Sequence, residues 1–512
     1  MQIKLTACFA IILLLVSSAG CLWLHPTHFN LLSSSVTDTQ GFPVLAFAFN
    51  LTDVATVTVS DPAGRVCLSQ DFFQPGSATA VLGTFRHSPA PGSYSLNVKD
   101  AGHNTIFSRT FRWSAPVLSF LSCQQKWFQR SDETVLTLNL TIRNNGQLPS
   151  YPHKVQILYG STIIYGPVIP CVILPEQTTN VNAYIVLPTE LSLQSFTVQL
   201  LDAEGYVSGS FTQNVTSDVC PSFQVSWSYQ GRHLLTLPNV SSLYAYERSL
   251  SREPSPDYAL YVFNSLDDAY FTYLLHRLVA LSGTNDAISQ LNFIAGFVQS
   301  LTYREDDPLN ASFEYPRFPI ETLNEQGGDC EDKAILCAQL LTLAGYNVSL
   351  IRLPKHMAVG VYLRNLSGFT PYAEGYYYLE ATAGSSPVGR VPGEYQGVTN
   401  YTLYRIMQRP LLLHEWVNAT RYRANQDDYV QVTVLVKNEG SAVTAAEVDA
   451  FFYASYVRFG TQSQVIPRLE AGGETQVTLR VNIPNGVATV LKTQVLVNGV
   501  VQQEKESASM FP

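Results

Sequence analysis

Cys330 lies in the run NEQGGDCEDKAIL (324–336), behind two glycines, flanked by Asp329, Glu331 and Asp332, and directly ahead of an apolar stretch. From Ala334 to Ala344 the side chains are apolar nearly all round, including Ile335, Leu336, Cys337, Leu340, Leu341 and Leu343. That is the pattern of a buried helix. A helix starting at the cysteine points its unpaired N–H groups and the positive end of its dipole at the thiol. Such surroundings, with an imidazolium nearby, bring a thiol from about 8.5 down to between about 3.5 and 7.5 and make it a nucleophile at neutral pH. Acids facing the sulfur would oppose this, so Asp329, Glu331 and Asp332 are read as first-turn residues that complement the dipole and point away.

A nucleophilic thiol needs a base, and RLPKHMAVGV (352–361) offers His356 at a strand start, just after the interruption at Pro354. The imidazole in turn needs a carboxylate to fix its tautomer and stabilise its cation. Glu380, a lone acid within YYYLEATA (376–383), fits, because an acid among aromatic strand residues is costly without a partner. The Cys330 N–H supplies one oxyanion donor, and Asn324, Gln326 and Gln299 compete for the other. Cys330 as half of a disulfide is the bland alternative in an exported chain. No C-x-x-C or H-x-x-x-H spacing completes a zinc site, so no metal and no cofactor are expected. Cys337 reads as an inert buried thiol, and REDDPLN (304–310) as a solvated acidic loop without the central glycine of a calcium loop.

The elements needed to position these groups are visible in the pattern. ISQLNFIAGFVQSL (288–301) has helical spacing, and the helix after Cys330 can be capped by Gly345. Strand-like runs follow at 347–353, 357–363 and 375–383. Helices first and strands after predict an α+β domain over 217–408.

The run FVQSLTYREDDPLNASFEYPRFPIETLNEQGGDCEDKAILCAQLL (297–341), then LPKHMAVGV, then YYYLEATA, resembles the transglutaminase-like cysteine peptidase superfamily in its secreted prokaryotic form. The resemblance covers about 223–408 and implies a papain-like fold, a cysteine at the start of a central helix, and an antiparallel sheet carrying the histidine and the acid. It implies Cys330 as nucleophile, His356 as general base and acid, and Glu380 as the imidazole's orienter, hence a thiol hydrolase or acyltransferase of the cysteine protease kind acting on peptide or side-chain amides. The acid is more often Asp in this superfamily, so Glu380 must be seated slightly farther from His356. The aromatic run FEYPRFPIETL (313–323) reads equally as a cleft wall or as core packing.

Around this domain the chain reads as all-β. Leu45, Phe47, Phe49 and Leu51 alternate with polar or small residues, as do Leu136 to Ile142 and Val430 to Val436. The last two runs end in Asn144-Asn145-Gly146 and Asn438-Glu439-Gly440 and are followed by similar segments (172–188 and 466–484), a repeat. They resemble the adhesion-related immunoglobulin-like β-modules of prokaryotic surface proteins. The expected architecture is multidomain: a signal peptide over 1–20, a β-sandwich over 21–117, immunoglobulin-like sandwiches over 118–216 and 409–512, and the transglutaminase-like α+β core over 217–408.

The 512-residue chain is too long for one core, and 46% hydrophobic with 14% charged residues it is globular. A net charge of -9 without a basic block argues against a nucleic-acid partner. MQIKLTACFAIILLLVSSAGC (1–21) reads as a secretory signal with a lipobox-like end, which makes Cys21 the expected lipidated N-terminus and the outer face of the cell membrane the expected location. Asn50, Asn139, Asn214, Asn239, Asn310, Asn347, Asn365, Asn400 and Asn418 sit in Asn-x-Ser/Thr acceptors, as in a surface glycoprotein. Cys67, Cys123, Cys171, Cys220, Cys330 and Cys337 then remain, in a compartment where disulfides persist. The expected partners are a protein or peptide substrate at the envelope and the membrane through the anchor. The competing expectation is a surface adhesin or scaffold that keeps the fold only for binding.

Overall fold

The computed structural model describes residues 28–511 apart from short stretches, the longest at 84–89 and 307–314. The signal segment and Cys21 lie outside the described residues. Three parts of the chain repeat one arrangement of seven antiparallel strands in two sheets. In each, strands one, two and five form one sheet and strands four, three, six and seven the other. The parts run from Phe29 to Trp113, from Leu118 to Asn214 and from Leu412 to Glu506. In the constant-type immunoglobulin arrangement the fourth strand pairs with the fifth, whereas here it pairs with the third.

Alternation of side chains across the pleat builds each core. Leu136, Leu138, Leu140 and Ile142 all point inward, and Val430, Val432, Val434 and Val436 do the same. The repeated asparagines close one end of each of these two sandwiches. Asn144 is fully buried and donates to the carbonyls of Leu148 and Ile173 at 2.8 and 3.0 Å. Asn438 donates in the same way to Ala442 and Leu469 at 2.8 and 3.2 Å. Each amide thus links two carbonyls of separate segments, which explains why the sequence repeats an amide there.

Between the second and third sandwiches lies a mixed unit with the largest core. A hairpin, Ser222–Ser228 with Arg232–Pro238, leads into helices α1 (Ser241–Ser249), α2 (Asp268–Ser282) and α3 (Ala287–Gln299). Two short strands, β1 (Thr302–Tyr303) and β2 (Gly327–Gly328), pair in parallel around the helix α4 (Pro319–Asn324). The helix α5 (Cys330–Leu343) follows at once, and Gly345 ends it with φ +87°. A four-stranded antiparallel sheet packs on α5: β3 (Val348–Leu353), β4 (His356–Tyr362), β5 (Tyr376–Leu379) and β6 (Thr402–Arg405), in the order β5-β4-β3-β6. From Glu331 to Leu341 every residue of α5 is buried. Tyr184 ties this unit to the second sandwich by donating its hydroxyl to the Leu266 carbonyl at 2.6 Å.

Candidate active site

The two glycines before Cys330 are there for space. A Cβ at Gly327 would lie 2.7 Å from the Thr302 carbonyl oxygen, and one at Gly328 would lie 2.5 Å from the Asp332 Cβ. Only glycine lets β2 run this close to β1 and then turn into α5. Asp332 Oδ2 accepts the Asp329 N–H at 3.2 Å, which fixes the start of the helix. Cys330 thus becomes the first helical residue, half-buried, and its thiol is free.

On the sheet side, Leu353 pairs with His356 across the two-residue turn Pro354-Lys355, where Lys355 has φ +61°. Proline followed by a positive φ is the type II combination, and it sets His356 as the first residue of β4. Cys330 and His356 line one cleft of about 620 Å³, together with Tyr258, Tyr303, Arg352 and Tyr401. The Met357 backbone N–H reaches the sulfur as well.

His356 Nε2 is 3.0 Å from Glu380 Oε2, which leaves Nδ1 free of that bond. Glu380 is the first residue past the end of β5 and is only 2% exposed. Its carboxylate also accepts the Tyr378 hydroxyl at 2.8 Å, the Thr382 N–H at 2.9 Å and the Thr382 hydroxyl at 2.6 Å. Burial works against its charge, but the bonds from His356 and Thr382 prevail and hold the carboxyl down at about 2. The face of the imidazole stacks on Tyr395, with ring centroids 4.8 Å apart and planes 7° from parallel.

The thiol itself departs from the sequence expectation. The Cys330 S–H donates to Glu331 Oε2 at 3.1 Å, so one of the three flanking acids faces the sulfur after all. Burial raises the thiol above its ordinary range, Glu331 adds to this, and only the Met357 N–H works the other way. Both effects favour the neutral thiol over the ionised sulfur expected from the helix end. The reason is that α5 is buried from its first turn, so Glu331 is held beside the sulfur at 5% exposure instead of turning into water. Asp332 does point away, bound by the Arg317 guanidinium. Asp329 is also buried, and burial and Glu331 push its carboxyl up to about 8.

None of the three amides considered as oxyanion donors lines the cleft. Gln299 instead braces the acid's loop, donating to the carbonyls of Glu380 and Ser386 at 2.8 Å each. Asn324 donates to Ile320 O at 2.9 Å, and Gln326 occupies a turn at φ +52°. Tyr303 is the cleft residue whose hydroxyl senses the sulfur: burial raises it to about 12, with Cys330 the next cause. Sequence reasoning missed Tyr303, Tyr395 and Thr382. It also missed Lys333, fully buried, whose ammonium binds the carbonyls of Gln299, Leu301 and Thr382 at 3.1, 2.9 and 3.4 Å. A lysine within a buried helix was the available signal. The aromatic run before the cysteine forms no cleft wall in its described part, since Tyr315 and Phe318 pack on the Arg252 guanidinium. In the described part of the acidic loop Arg304 and Glu305 are exposed, as expected, whereas Asp306 is partly buried and accepts from Arg317 at 3.0 Å and from the Tyr315 N–H at 2.7 Å.

Among the asparagine acceptors, Asn50, Asn214, Asn347, Asn365, Asn400 and Asn418 are exposed, Asn139 and Asn239 are partly buried, and Asn310 lies outside the described residues. Asn400 is on the cleft rim. Cys123, Cys171, Cys220, Cys330 and Cys337 are all free thiols, and Cys337 is fully buried as expected.

No protein-family model matches the chain. No curated protein matches it either. Similar solved structures include the red sea bream transglutaminase, 10% identical over 76% of this chain and 82% of that one, with a TM-score of 0.16. A candidate protease from Parabacteroides distasonis is 11% identical over 72% of this chain and 93% of that one, with a TM-score of 0.19. The Amycolatopsis orientalis exo-chitosanase CsxA is 9% identical over 91% of this chain and 76% of that one, with a TM-score of 0.17. At these scores the likenesses carry no argument about fold or chemistry, and the functional reading rests on the residues of the cleft.

Proposed function

We propose that the cleft is a thiol acyl-transfer centre of the transglutaminase-like kind, carried by a lipid-anchored surface protein whose immunoglobulin-like sandwiches present it to a peptide substrate. The observation that carries the reading is the His356–Glu380 pair at 3.0 Å on the wall of a cleft that also holds a free thiol at a helix N-terminus. Glu380 stays ionised and holds the Nε2 proton, so Nδ1 is the nitrogen available to take the Cys330 proton. The sulfur then bonds to the amide carbon, His356 returns the proton to the departing amine as the C–N bond breaks, and a thioester remains. Water or a second amine next attacks the thioester and releases the thiol. The Cys330 N–H and the Tyr303 hydroxyl are the donors for the oxyanion. Water is the expected acceptor in a cleft this open, which favours hydrolysis over cross-linking.

One observation favours a second reading. A half-buried thiol held by Glu331 is a poor nucleophile, as it would be in a domain retained only for binding. Alkylation with iodoacetamide, mapped by peptide, separates the two. The enzymatic reading expects Cys330 to react faster than Cys123, Cys171, Cys220 and Cys337, and His356→Ala to slow it at least tenfold. Equal rates in the wild type and His356→Ala support the adhesin. Comparing envelope proteins from cells carrying wild type and Cys330→Ala then identifies the substrate.

A further inference from the structure

In β3 the side chains of Val348 and Leu350 join the core with α5, and by the alternation of a strand Arg352 is the next residue on that face. An apolar side chain would continue the core there. Arg352 is instead exposed and lines the cleft that holds Cys330. Its cross-strand partner is Met357, whose N–H reaches the sulfur, and the next pair along is Leu353 with His356. Lys355, in the turn that sets His356, is exposed in the same cleft and holds φ +61°, a conformation in which glycine or asparagine is usual. Among the described residues neither cation has an ion-pair or hydrogen-bond partner for its side chain. Arg405 on the same sheet, by contrast, is paired with Glu374. The acids that line the cleft, Glu305, Asp329 and Glu331, come from the segment after β1 and from the start of α5. The cleft is thus divided by charge, with cations from the sheet and acids from the helix side.

We propose that Arg352 and Lys355 form a binding subsite for a carboxylate of the substrate, so that the preferred acyl donor is a peptide carrying a carboxylate close to the attacked amide. This rests on the thiol acyl-transfer reading of the same cleft. The planar fork of Arg352 matches a carboxylate through two parallel N–H···O bonds, and Lys355 adds a mobile point charge. The acids of the helix side repel the same group, so the charge division also sets which way round the peptide lies, with its negative end over the sheet. Such a carboxylate has two sources, the free C-terminus of a short peptide and an acidic side chain within a longer one.

The test uses the full chain and two alkylating agents of similar size, anionic iodoacetate and neutral iodoacetamide. The ratio of their rates at Cys330, divided by the same ratio for free cysteine, is expected to be at least about fivefold and to decline with added salt. It should fall most in Arg352→Gln, less in Lys355→Gln, and hold in Arg405→Gln. Near-UV circular dichroism identifies a variant that fails to fold, and the two cleft substitutions lie on a strand and a turn, so one suffices. A wild-type ratio no higher than that of free cysteine overturns the subsite, as does an undiminished ratio in a folded Arg352→Gln or Lys355→Gln protein. Protection of Cys330 from iodoacetamide by acetylated alanine tripeptides separates the sources: one with a free C-terminus, one amidated with a central glutamate, and one amidated and neutral. Stronger protection by the first assigns the C-terminus, and stronger protection by the second assigns the side chain. Equal protection by all three, or by none, overturns the subsite. The rate ratio is read whether or not His356→Ala slows iodoacetamide, so failure of this subsite is distinguishable from failure of the thiol chemistry.

Discussion

The two walls of the cleft each hold a buried carboxylate, with opposite consequences. On the sheet wall, Glu380 receives donors from His356, Tyr378 and Thr382, and its charge is secure at 2% exposure. On the helix wall, Glu331 is nearly as buried at 5% exposure, takes the thiol of Cys330 as a donor, and lies with Asp306 and Asp329 in one acid cluster. Burial is similar on both sides, so burial alone does not decide the outcome. What differs is the supply of donors: a carboxylate given N–H and O–H groups remains ionised and useful to an imidazole, whereas one set among acids opposes the ionisation of its neighbour. The imidazole side holds a charged partner, and the thiol side is restrained.

Removing Glu380 should break this contrast with the largest effect. Its folded carboxyl sits at about 2, below the ordinary 4.5, so it contributes stability that is fully present above the ordinary value and is lost as pH falls toward 2. The interval corresponds to about 3 kcal/mol by linkage. Glu380→Ala is therefore expected to lower unfolding free energy by about 3 kcal/mol at pH 7, with the gap from wild type closing as the pH drops from about 4.5 toward 2, measured by denaturant titration across pH. The same variant should lose His356-dependent alkylation of Cys330. A difference that stayed constant across that pH range would show that the carboxylate's charge is not what stabilises the loop.

Neutralising the other acid should sharpen the contrast from the opposite side. In Glu331→Gln the thiol loses a carboxylate at 3.1 Å, while the helix end and the Met357 N–H remain. A unit charge at about 4 Å is worth about 1 kcal/mol in water and about 4 kcal/mol at a partly buried surface, so the alkylation rate at pH 7 should rise at least tenfold. The midpoint of the rate against pH should move down. No downward shift would place the restraint in burial of the sulfur, which Glu331→Gln leaves unchanged.

Much of this site was legible in the sequence, and the rest was hidden for identifiable reasons. The apolar run after Cys330 defined α5, Pro354 placed His356 at a strand start, and the isolation of Glu380 among aromatics pointed to a partner. Each is a local pattern with a physical cost if ignored. The repeat of Asn144 in Asn438 was legible as well, since an amide at that strand end binds two loop carbonyls. The orientation of Glu331 was not, because a helix dipole argument assumes that first-turn acids reach water and says nothing of what packs around that turn. Nor were Tyr395 and Tyr303: the first comes from a loop beyond the acid, the second from a two-residue strand, and neither has a periodic signal. The shared strand order of the first sandwich with the other two was likewise invisible, since pairing is long-range and its alternating residues are the least regular of the three.

The smallest expected effect concerns the face of the imidazole. Glu380 fixes one edge of His356, but a single hydrogen bond allows the ring to rotate about that contact. Tyr395, stacked at 7° from parallel, blocks that rotation and covers one face of the ring. Stacked aromatic pairs are worth about 0.5 to 1.5 kcal/mol, so Tyr395→Ala should slow His356-dependent alkylation of Cys330 by about two- to tenfold while leaving the pH midpoint in place. Tyr395→Phe keeps the ring and removes only the hydroxyl, and should retain the wild-type rate. Equal losses in both variants would assign the effect to the hydroxyl and not to the stack. The preparation of the sheet wall would then rest on the donors to Glu380 alone, and the contrast between the walls would reduce to hydrogen bonding without a packing component.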